Sequence, residues 1–388
     1  MASELRISRI YGRRALSRFV RFPSDLYRNC PLWVPPLINE ELSGIDAVKN
    51  PVFGFTDAAY WLAERGGKTV GRIAGFVNRR DNERRGKQAV RFGMVDFVDD
   101  PSVCAALLKA VEEWARGQGM DLVEGPLGPG HFDRNCVLVE GFDELPTAIS
   151  SYNYPYYADC IERCGYHKEI DYLEHRVAIS AEPDPKVERI SAYVLKKKGL
   201  RLWQASSKRH LLSRGCEFFQ LINTAYADLH DFVPLSDEEI GFLTKKFFAY
   251  IDCRYTKVVE DSSGEMVAVG IAMESFSVAL QAARGRLWPF GWWRMLRAMK
   301  VNDVLDLYLV AVRPDLQGSG LNAILMHEMH KVASSRGLKW AETNGELETN
   351  TKILSMWKGY EHRTHKRRRI YGKKLSGGSR PVDRLLAR

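Results

Sequence analysis

The first half of the chain alternates apolar and polar residues in short runs that predict β-strands. DAAYWLAERGG and KTVGRIAGFVNRR are two such runs joined at Gly66-Gly67, which indicates a hairpin, and QAVRFGMVDFV predicts a third strand. The spacing then changes to three and four residues, which predicts a helix from Pro101 to Gly117. A short strand, a helix that stops at Gly165 and another strand complete this half. The pattern indicates a mixed α/β fold.

A polar segment with two prolines, SAEPDPKVE at residues 180–188, separates this pattern from a second one of the same order. The predicted elements beyond it are an amphipathic helix at 216–229, a hairpin that turns at 262–264, a strand at 303–312, a helix from 321, a strand at 338–344, a helix at 351–359 and a strand at 365–375. We interpret the repeat as a tandem duplication of one α/β unit, with domains at residues 1–180 and 181–388.

Composition narrows the class of protein. The chain has 388 residues, which favours two domains over one. Its seven cysteines include no CxxC pair, so we expect reduced thiols in a cytoplasmic protein and no metal site. The N-terminus has no uninterrupted apolar stretch, and no window approaches the ~20 apolar residues of a membrane span. The net charge of +9 suits an anionic partner, although a solvated basic surface explains it equally well.

The most informative stretch is the apolar strand that begins at Leu305 and the turn that follows it. The strand breaks at Arg313-Pro314 and passes through Gln317-Gly318-Ser319-Gly320 into a helix. Amides at a helix N-terminus bind anions, and glycines let a phosphate approach them. The P-loop needs a lysine after its glycines, and the dinucleotide motif fails because Ala323 occupies its third glycine position. We therefore predict that residues 317–322 hold a pyrophosphate.

This stretch resembles the central motif of the GNAT (GCN5-related N-acetyltransferase) superfamily, Val-x-Pro-x-x-(Gln/Arg)-x-x-Gly-x-(Gly/Ala). Val312, Pro314, Gln317 and Gly320 match the motif, and Asn322 replaces its final small residue. The resemblance implies two tandem GNAT-like domains, each a mixed, mostly antiparallel sheet flanked by helices. It also implies acyl-coenzyme A (acyl-CoA) as a co-substrate, with no tightly bound cofactor.

The resemblance further assigns parts of the coenzyme to particular residues. The backbone of Val310 and Val312 would pair with the pantetheine arm, and Asn350 would border the thioester. The pyrophosphate would lie on the amides of Gln317, Gly318, Ser319, Gly320, Leu321 and Asn322. A tyrosine often protonates the leaving thiolate in this superfamily. The nearest equivalents here are Met356 and Trp357, which leaves the acid unassigned.

Segments spread over nearly the whole chain, among them FPSDLYRNCPLWVPPL, YNYPYY and RGRLWPFGWW, resemble a group of bacterial proteins with two GNAT units. Similarity to that group implies that an acyl group is transferred to an amine from a thioester of coenzyme A or of acyl-carrier protein. The first half is expected to be degenerate, because its equivalent strand leads into Asp99 and Asp100, which would repel a phosphate. We expect the first half not to bind coenzyme A, but to form a wall of the acceptor site or to stabilise the pair of domains.

Aminolysis of a thioester needs a base for the amine and an acid for the thiolate. Glu348 and Glu274 are candidate bases near the strand ends, and Ser275 stands where the related group tends to carry an aspartate. Tyr371, at the end of a strand, is a candidate acid. A surface, network or packing role is the alternative for each of these residues.

Two other segments invite functional interpretation. His327 and His330 have i,i+3 spacing, and we expect them to mark a helix face rather than a metal site. The basic run at residues 365–374 predicts a strand with solvated charges, and we expect no nucleic acid as a partner.

Residues 284–300 interleave tryptophans with arginines, which suits a bilayer interface or the mouth of an acyl-chain pocket; packing against the first half is the alternative. Peripheral contact with the inner face of the membrane through Trp288, Trp292 and Trp293 is therefore a hypothesis. Together, the resemblance and this segment imply an acyl-CoA-dependent N-acyltransferase, and a long-chain or lipid-type amine as acceptor is our hypothesis. Two rivals stay open: a tandem-GNAT transferase that uses aminoacyl-tRNA, and a non-catalytic module that binds acyl-CoA.

Overall fold

A computed structural model of the chain describes residues 4–227, 232–248 and 250–375. The strands are β1 (Leu5–Arg9), β2 (Thr56–Arg65), β3 (Lys68–Asn78), β4 (Ala89–Phe97), β5 (Leu122–Gly125), β6 (Val137–Glu140), β7 (His167–Ala178), β8 (Arg201–Trp203), β9 (Thr256–Glu260), β10 (Met266–Glu274), β11 (Val304–Val312), β12 (Trp340–Thr343), β13 (Glu346–Leu347) and β14 (His362–Lys374).

The helices are α1 (Gly12–Leu26), α2 (Ile38–Gly44), α3 (Arg79–Arg85), α4 (Pro101–Gly117), α5 (Tyr156–Arg163), α6 (Pro185–Lys198), α7 (Lys208–Leu212), α8 (Gly215–Ala225), α9 (Asp237–Phe248), α10 (Ser277–Ala283), α11 (Gly291–Met299), α12 (Leu321–Ser335) and α13 (Thr351–Met356). Within the described ranges, none of these helices has the length and apolar character that crossing a bilayer requires.

The first half contains the local elements that its pattern predicts. β2 and β3 form the expected hairpin, in which Arg65 faces Lys68 and the intervening Gly66 and Gly67 have φ of 57° and 75°. Glycine adopts such angles without steric cost, so this pair sets the turn. α4 has the predicted bounds and buries its apolar residues against the sheet. β1, α1 and α2, at the start of the chain, were not predicted.

The second half repeats the order of elements. β9 and β10 form the expected hairpin, and β10 pairs antiparallel with β11. α8 ends at Ala225, earlier than the predicted helix, whose last two residues, 228 and 229, lie outside the described ranges. The strand–turn–helix order predicted after Leu305 is confirmed by β11, a 3-10 turn at Pro314–Leu316, and α12.

All the strands belong to one sheet, whose main order is β1-β2-β3-β4-β5-β14-β7-β12-β11-β10-β9-β8. Neighbours pair antiparallel except at β4–β5 and β11–β12, which are parallel. The halves exchange their final strands, because β7 pairs with β12 of the second half and β14 pairs with β5 of the first. The predicted mixed α/β fold with a mostly antiparallel sheet is confirmed.

The predicted division between residues 180 and 181 falls in the connection from β7 to α6. The sheet continues across this division, since β7 and β14 also pair with each other along much of their length. The two predicted domains therefore share backbone hydrogen bonds, and their division stays a prediction.

The expectation of a solvated basic strand at residues 365–374 is wrong. β14 is an interior strand, and Lys366 and Arg368 are only 1% and 3% exposed. A buried cation requires a paired anion. Glu174 on the neighbouring β7 forms ion pairs with both residues. The strand exchange therefore places this part of the positive charge inside the sheet.

An aromatic cluster joins the two halves on one face of the sheet. Phe132, from the first half, has ring centroids 6.3 Å from Phe219 and 6.0 Å from Phe247, both in the second half. It packs against a core that includes residues of α8, β10 and β11. This contact positions the loop at residues 126–136 beside the second half.

Candidate functional site

The loop predicted to bind pyrophosphate forms the N-terminus of α12. Gly320 is the N-cap, with φ of 89°, and Gly318 has φ of 75°. The amide of Ile324 donates to the Gly320 carbonyl at 3.1 Å. The N–H groups of the three residues before Ile324 have no acceptor inside the helix. A Cβ added at Gly318 or Gly320 would meet nothing within 4 Å. The Gln317 and Ser319 N–H groups donate to the Pro314 and Leu316 carbonyls at 3.3 Å, so the amides available to an anion are those that begin α12, where the helix dipole and open space also favour it.

β11 and β12 diverge beneath this loop. Their parallel pairing covers Val304–Leu307 and Trp340–Thr343, while β11 continues along β10 to Val312. Asn344, just past β12, spans the start of the gap, because its Nδ2 donates to the Tyr308 carbonyl at 2.9 Å. An opening in the strand pairing therefore begins beyond Leu307 and Thr343.

Both carbonyls assigned to the pantetheine arm already accept hydrogen bonds from side chains. The Tyr226 hydroxyl donates to the Val310 carbonyl at 2.9 Å, and Gln317 Nε2 donates to the Val312 carbonyl at 3.3 Å. Burial raises the pKa of Tyr226, so this hydroxyl keeps its proton at neutral pH. A ligand that pairs with these carbonyls would have to compete with both side chains.

Two adjoining cavities lie between the halves on this face of the sheet. The first, of about 230 Å³, extends from α2 to α11, and the second, of about 280 Å³, extends from α8 to Asn344 and Gly345 at the strand opening. Both linings are mainly apolar and aromatic, as in ligand pockets. The described residues that line both are Phe132, Asp133, Ile149, Phe247, Met273 and Tyr308. The cavities therefore meet at these six residues, which we call the junction.

Two members of the junction carry polar groups, and burial raises the pKa of each. For Asp133, burial is the largest influence, and the charge of Lys246 opposes it. For Tyr308, burial again acts most strongly, and the charge of Asp306 adds to it. A carboxyl with a raised pKa can exchange protons closer to neutrality, whereas such a tyrosine keeps its proton and can donate a hydrogen bond.

A buried ionic network underlies the second cavity. Glu174 and Arg368, which line the cavity, form an ion pair, and Lys366 Nζ lies 3.4 Å from Glu174 and 3.2 Å from Glu342. Burial alone would raise the pKa of Glu174, but Arg368 and Lys366 hold it at about 2. The floor of the cavity is therefore charged but internally neutralised.

Ser275 lies beside this network. It follows β10 directly, and its hydroxyl lies 3.3 Å from that of Ser277. Its side chain also acts on the buried Asp306 of β11. Burial, and then repulsion from Glu342, raises the pKa of Asp306 well above its usual range, whereas Ser275 opposes the shift. Tyr308 is the extra residue of a β-bulge on the same strand, and the charge of Asp306 acts on its hydroxyl.

The structure does not bring the other three predicted catalytic residues to the junction. Glu274 pairs with Arg336 at 2.7 Å, and its side chain points to the opposite face from its neighbour Met273. Glu348 pairs with Lys168 at 2.8 Å. Tyr371 is buried in the core of the first half. Catalytic roles for these residues stay predictions.

Asn350, predicted to border the thioester, caps α13. Its Oδ1 accepts a hydrogen bond from Ile353 N–H at 3.3 Å. Trp357, at the end of this helix, is buried, and its Nε1 donates to the Glu346 carboxylate at 2.9 Å. Burial raises the pKa of Glu346 to about 7. In this structure, Asn350 therefore has a local role in starting the helix.

The corresponding place in the first half has the same frame but different chemistry. β4 and β5 also pair in parallel, and α4 follows β4. The Asp100 side chain caps α4 by accepting from Ser102 N–H at 2.8 Å, and it pairs with Arg65 at 2.6 Å. A carboxylate thus occupies the helix N-terminus where the second half has glycine. The cavity bordered by β4 here measures only about 90 Å³. That this half does not bind coenzyme A remains a prediction.

The histidines of α12 contact neighbouring groups. His327 pairs with Glu188 at 2.6 Å, and His330 Nε2 lies 2.8 Å from the Ser180 carbonyl. Lys331 also lies 3.2 Å from Glu188. Lys331 thus bridges Glu188 and Glu328, and His327 contacts the same Glu188 carboxylate.

The tryptophan-rich segment forms α11 and the turn before it. Its three tryptophans are 50–83% exposed. Leu287 and Met295, from the same segment, line the first cavity. The segment therefore borders this cavity and also presents aromatic rings to solvent.

Sequence reasoning missed Asp133, Asp306 and Tyr308. Asp306 carried a signal, because a single acid inside the apolar run VLDLYLVAV indicates a buried charge. Asp133 carried a weaker one, as the one acid in GPLGPGHFDRN, a loop dense in glycine and proline. Neither pattern indicates that a loop of the first half meets a strand of the second.

Known proteins resemble this chain, although no family model matches it. Protein YghO of Escherichia coli (strain K12) is 29% identical over 369 residues, which cover 93% of each chain. Bacterial ceramide synthase of Caulobacter vibrioides is 28% identical over 370 residues, 93% of this chain and 95% of that protein.

Solved structures show the same architecture. A tandem GNAT protein from the clavulanic acid biosynthesis pathway has a TM-score of 0.56 at 12% identity and covers 96% of this chain and 98% of its own. A GCN5-related N-acetyltransferase from Sphaerobacter thermophilus has a TM-score of 0.52 at 13% identity and covers 97% of each chain. Because both similarities extend over nearly the whole of each chain, the chain has the tandem GNAT fold.

Proposed function

We propose that this protein transfers an acyl group from acyl-CoA to the amine of a long-chain or lipid-type acceptor. The observation that carries the proposal is the junction, where two largely apolar cavities meet at Asp133 and Tyr308. The second cavity reaches the opening between β11 and β12, and the first reaches α11. A reaction that joins two apolar substrates needs both chains held with their reactive ends together.

The donor is proposed to enter between β11 and β12. Its pyrophosphate would lie against residues 317–322, on the free amides that begin α12, and its pantetheine arm would displace Tyr226 from the Val310 carbonyl. The acyl chain would then continue into the second cavity, whose lining includes Phe218 and Phe219. An acyl-carrier protein is an alternative donor, since it presents the same pantetheine arm.

The reaction forms a bond from the amine nitrogen to the acyl carbon and breaks the carbon–sulfur bond. The leaving thiolate needs a proton or a hydrogen bond. Tyr308 is our candidate donor, because it lines the junction and its raised pKa keeps the hydroxyl protonated. Tyr308 would thus protonate the thiolate in place of the tyrosine that is often found in this superfamily, where the present chain has Met356 and Trp357.

The relative named bacterial ceramide synthase supports the choice of acceptor. A ceramide is the amide of a fatty acid and a long-chain amino alcohol, so its synthesis joins two apolar chains at an amide bond. The two cavities of the present chain would hold such a pair of chains. The similarity of 28% extends over 93% of this chain, so it includes both halves.

Donor binding is tested by thermal melting with coenzyme A, acetyl-CoA and palmitoyl-CoA. The disruptive variant is Gly320→Trp, and Gly337→Trp is its matched control. Both glycines have positive φ, 89° and 74°, and both face open space, but Gly337 follows the other end of α12. The two variants strain the backbone alike, whereas Gly320→Trp alone places an indole over the helix amides. We expect palmitoyl-CoA to stabilise wild type and Gly337→Trp but not Gly320→Trp.

Turnover is measured as thiol release from palmitoyl-CoA with a long-chain primary amine or a small polar amine. We expect release with the long-chain amine. Full activity with acetyl-CoA on small polar amines, and none on long chains, would reject the proposed acceptor. Melting shifts without turnover would favour a non-catalytic binding module. No shift with any thioester would favour a carrier-protein or aminoacyl-tRNA donor.

The same proposal places α11 against the membrane in which a lipid-type amine resides. Its exposed tryptophans suit a bilayer interface, and the exposed cations around them would attract anionic lipids. These cations are Arg284, Arg286, Arg294, Arg297 and Lys300. We expect co-sedimentation with vesicles that contain phosphatidylglycerol. Replacing the three tryptophans by serine should abolish it, whereas replacing Tyr193, an exposed ring on α6, should not. Equal sedimentation of both variants would reject the contact.

A further inference from the structure

We propose that Asp133, a residue of the first half, binds the protonated amine of the acceptor at the junction and takes a proton from it. This inference rests on the proposed function, because it assigns the acceptor end of the same site. It gives the first half a specific part in the reaction, in a loop that sequence analysis did not single out.

The position of Asp133 is the first support. Its side chain lines both cavities, so it can reach a group held in either. Of the six junction residues, Asp133 is the one that carries a carboxyl group. Four of the others, Phe132, Ile149, Phe247 and Met273, are apolar. An amine at the head of an apolar chain would therefore meet this carboxylate where the two cavities join.

The carboxylate has spare capacity for a cation. Its Oδ2 accepts a hydrogen bond from Gly130 N–H at 2.8 Å. Among the described residues, no lysine, arginine or histidine forms an ion pair with it within 4.0 Å, and Lys246 acts on it from farther away. Arg134, which also lines the first cavity, donates instead to the Ala148 carbonyl at 2.7 Å. An ionised carboxylate accepts up to about four hydrogen bonds, so an ammonium group would find vacant acceptor sites.

The loop is shaped around this side chain. A Cβ added at Gly128 would stand 2.2 Å from the Cβ of Asp133, and one at Gly130 would stand 3.2 Å from its Oδ2. Only a residue without a side chain fits at Gly128, so the loop holds Asp133 in one place. The backbone bond from Gly130 then fixes the direction of the carboxylate. Such support is what a binding group needs when its ligand is otherwise flexible.

Burial explains how the Asp133 carboxylate would convert the bound ammonium group into a neutral amine nucleophile. An alkyl ammonium has a pKa near 10 in water, so the amine arrives protonated. A carboxylate and an ammonium are both disfavoured in an apolar enclosure, and transfer of one proton yields a neutral acid and a neutral amine. The raised pKa of Asp133 acts in the same direction. The neutral amine then forms the nitrogen–carbon bond and the carbon–sulfur bond breaks. Tyr308 protonates the leaving thiolate and recovers its proton from the nitrogen, so that the second amine proton in effect leaves with the thiol.

The test compares binding of dodecylamine and dodecan-1-ol, each below its solubility limit, to the full chain by calorimetry. The two ligands share a tail and differ in the ionisable head. The variant is Asp133→Asn, whose amide oxygen can still accept from Gly130. The matched control is Asp143→Asn, the same substitution at an exposed carboxylate of the first half. We expect wild type and the control to prefer the amine by about tenfold or more, as for a charge-assisted hydrogen bond, and Asp133→Asn to bind both ligands about equally.

A preference for the amine that survives in Asp133→Asn would overturn the inference, and so would equal binding of both ligands by wild type. Gly128→Ala is a second variant, since its methyl group displaces Asp133, and it should lose the preference too. Melting with palmitoyl-CoA on the same samples separates this outcome from failure of the proposed function. In wild type, a palmitoyl-CoA shift without a preference for the amine would reject the role of Asp133 alone, whereas absence of the shift would reject the donor site.

Discussion

Removing the Tyr226 hydroxyl should tighten coenzyme A binding, although the change deletes a hydrogen bond from the protein. The hydroxyl donates to the Val310 carbonyl at 2.9 Å, so a pantetheine arm that pairs with this carbonyl must first displace it. A hydrogen bond between neutral groups contributes about 1 kcal/mol net. In Tyr226→Phe the ligand no longer has to break that bond, so its affinity should rise by roughly fivefold. The ligand-free protein should melt at a lower temperature, because the Val310 carbonyl loses its donor.

The assay is displacement of a fluorescent acyl-CoA by coenzyme A, with melting of the ligand-free variants measured in parallel. Tyr255→Phe is the matched control, since Tyr255 is fully buried and its hydroxyl donates to Glu274 at 3.0 Å, outside both cavity linings. The control should melt earlier with an unchanged dissociation constant. Should Tyr226→Phe melt earlier but bind coenzyme A no more tightly, the Val310 carbonyl is not a pantetheine partner and the reasoning fails.

Further predictions concern stability. Glu174→Gln leaves Arg368 buried with one anion fewer, so chemical denaturation should show that the free energy of unfolding falls by about 3–5 kcal/mol. A fall of less than about 1 kcal/mol would contradict the buried ion pair. Glu346 has a folded-state pKa raised to about 7, so its stabilising contribution is complete below about pH 4.5 and is lost as the pH rises to 7. Between about pH 4.5 and 7, the free energy of unfolding of wild type should fall by roughly 3 kcal/mol more than that of Glu346→Gln. If the two proteins show the same dependence of unfolding free energy on pH, the prediction is refuted. Gly93→Ala should destabilise by about 2 kcal/mol or more, because its Cβ would stand 2.2 Å from a backbone carbonyl oxygen. At Gly270 an added Cβ would stand 2.3 Å from the flexible end of a methionine, so Gly270→Ala should destabilise by less than about 1 kcal/mol. Equal destabilisation by Gly93→Ala and Gly270→Ala would contradict this distinction between a rigid and a flexible neighbour.

Local elements were predictable because their causes are local. The β2–β3 turn depends on two adjacent glycines, α4 on the spacing of its apolar residues, and the start of α12 on Gly318 and Gly320. Each of these signals lies within the element that it specifies. The motif around Gln317 also indicated the fold, because a strand, a glycine turn and a helix start occur there in one continuous stretch.

The environment of a charge was not predictable in the same way. The basic run of β14 has the composition of a solvated strand, yet Lys366 and Arg368 are buried. Their burial depends on the exchange of final strands, which sets β14 beside β7 and its carboxylate Glu174. Strand pairing across the whole chain cannot be read from the pattern of one strand, since alternation specifies a face and not a neighbour.

By itself, the sequence determined local elements such as the β2–β3 hairpin, α4 and the glycine turn that begins α12, and also the repeated order of the two halves. It did not predict β1, α1 or α2. Only the tertiary structure decided that the halves exchange strands and that their cavities meet at Asp133 and Tyr308. These two residues lie in different halves, and their own sequence neighbours say nothing about their proximity. The aromatic contacts of Phe132 with α8 and α9 hold the first-half loop against the second half, so the junction depends on packing between residues far apart in the chain.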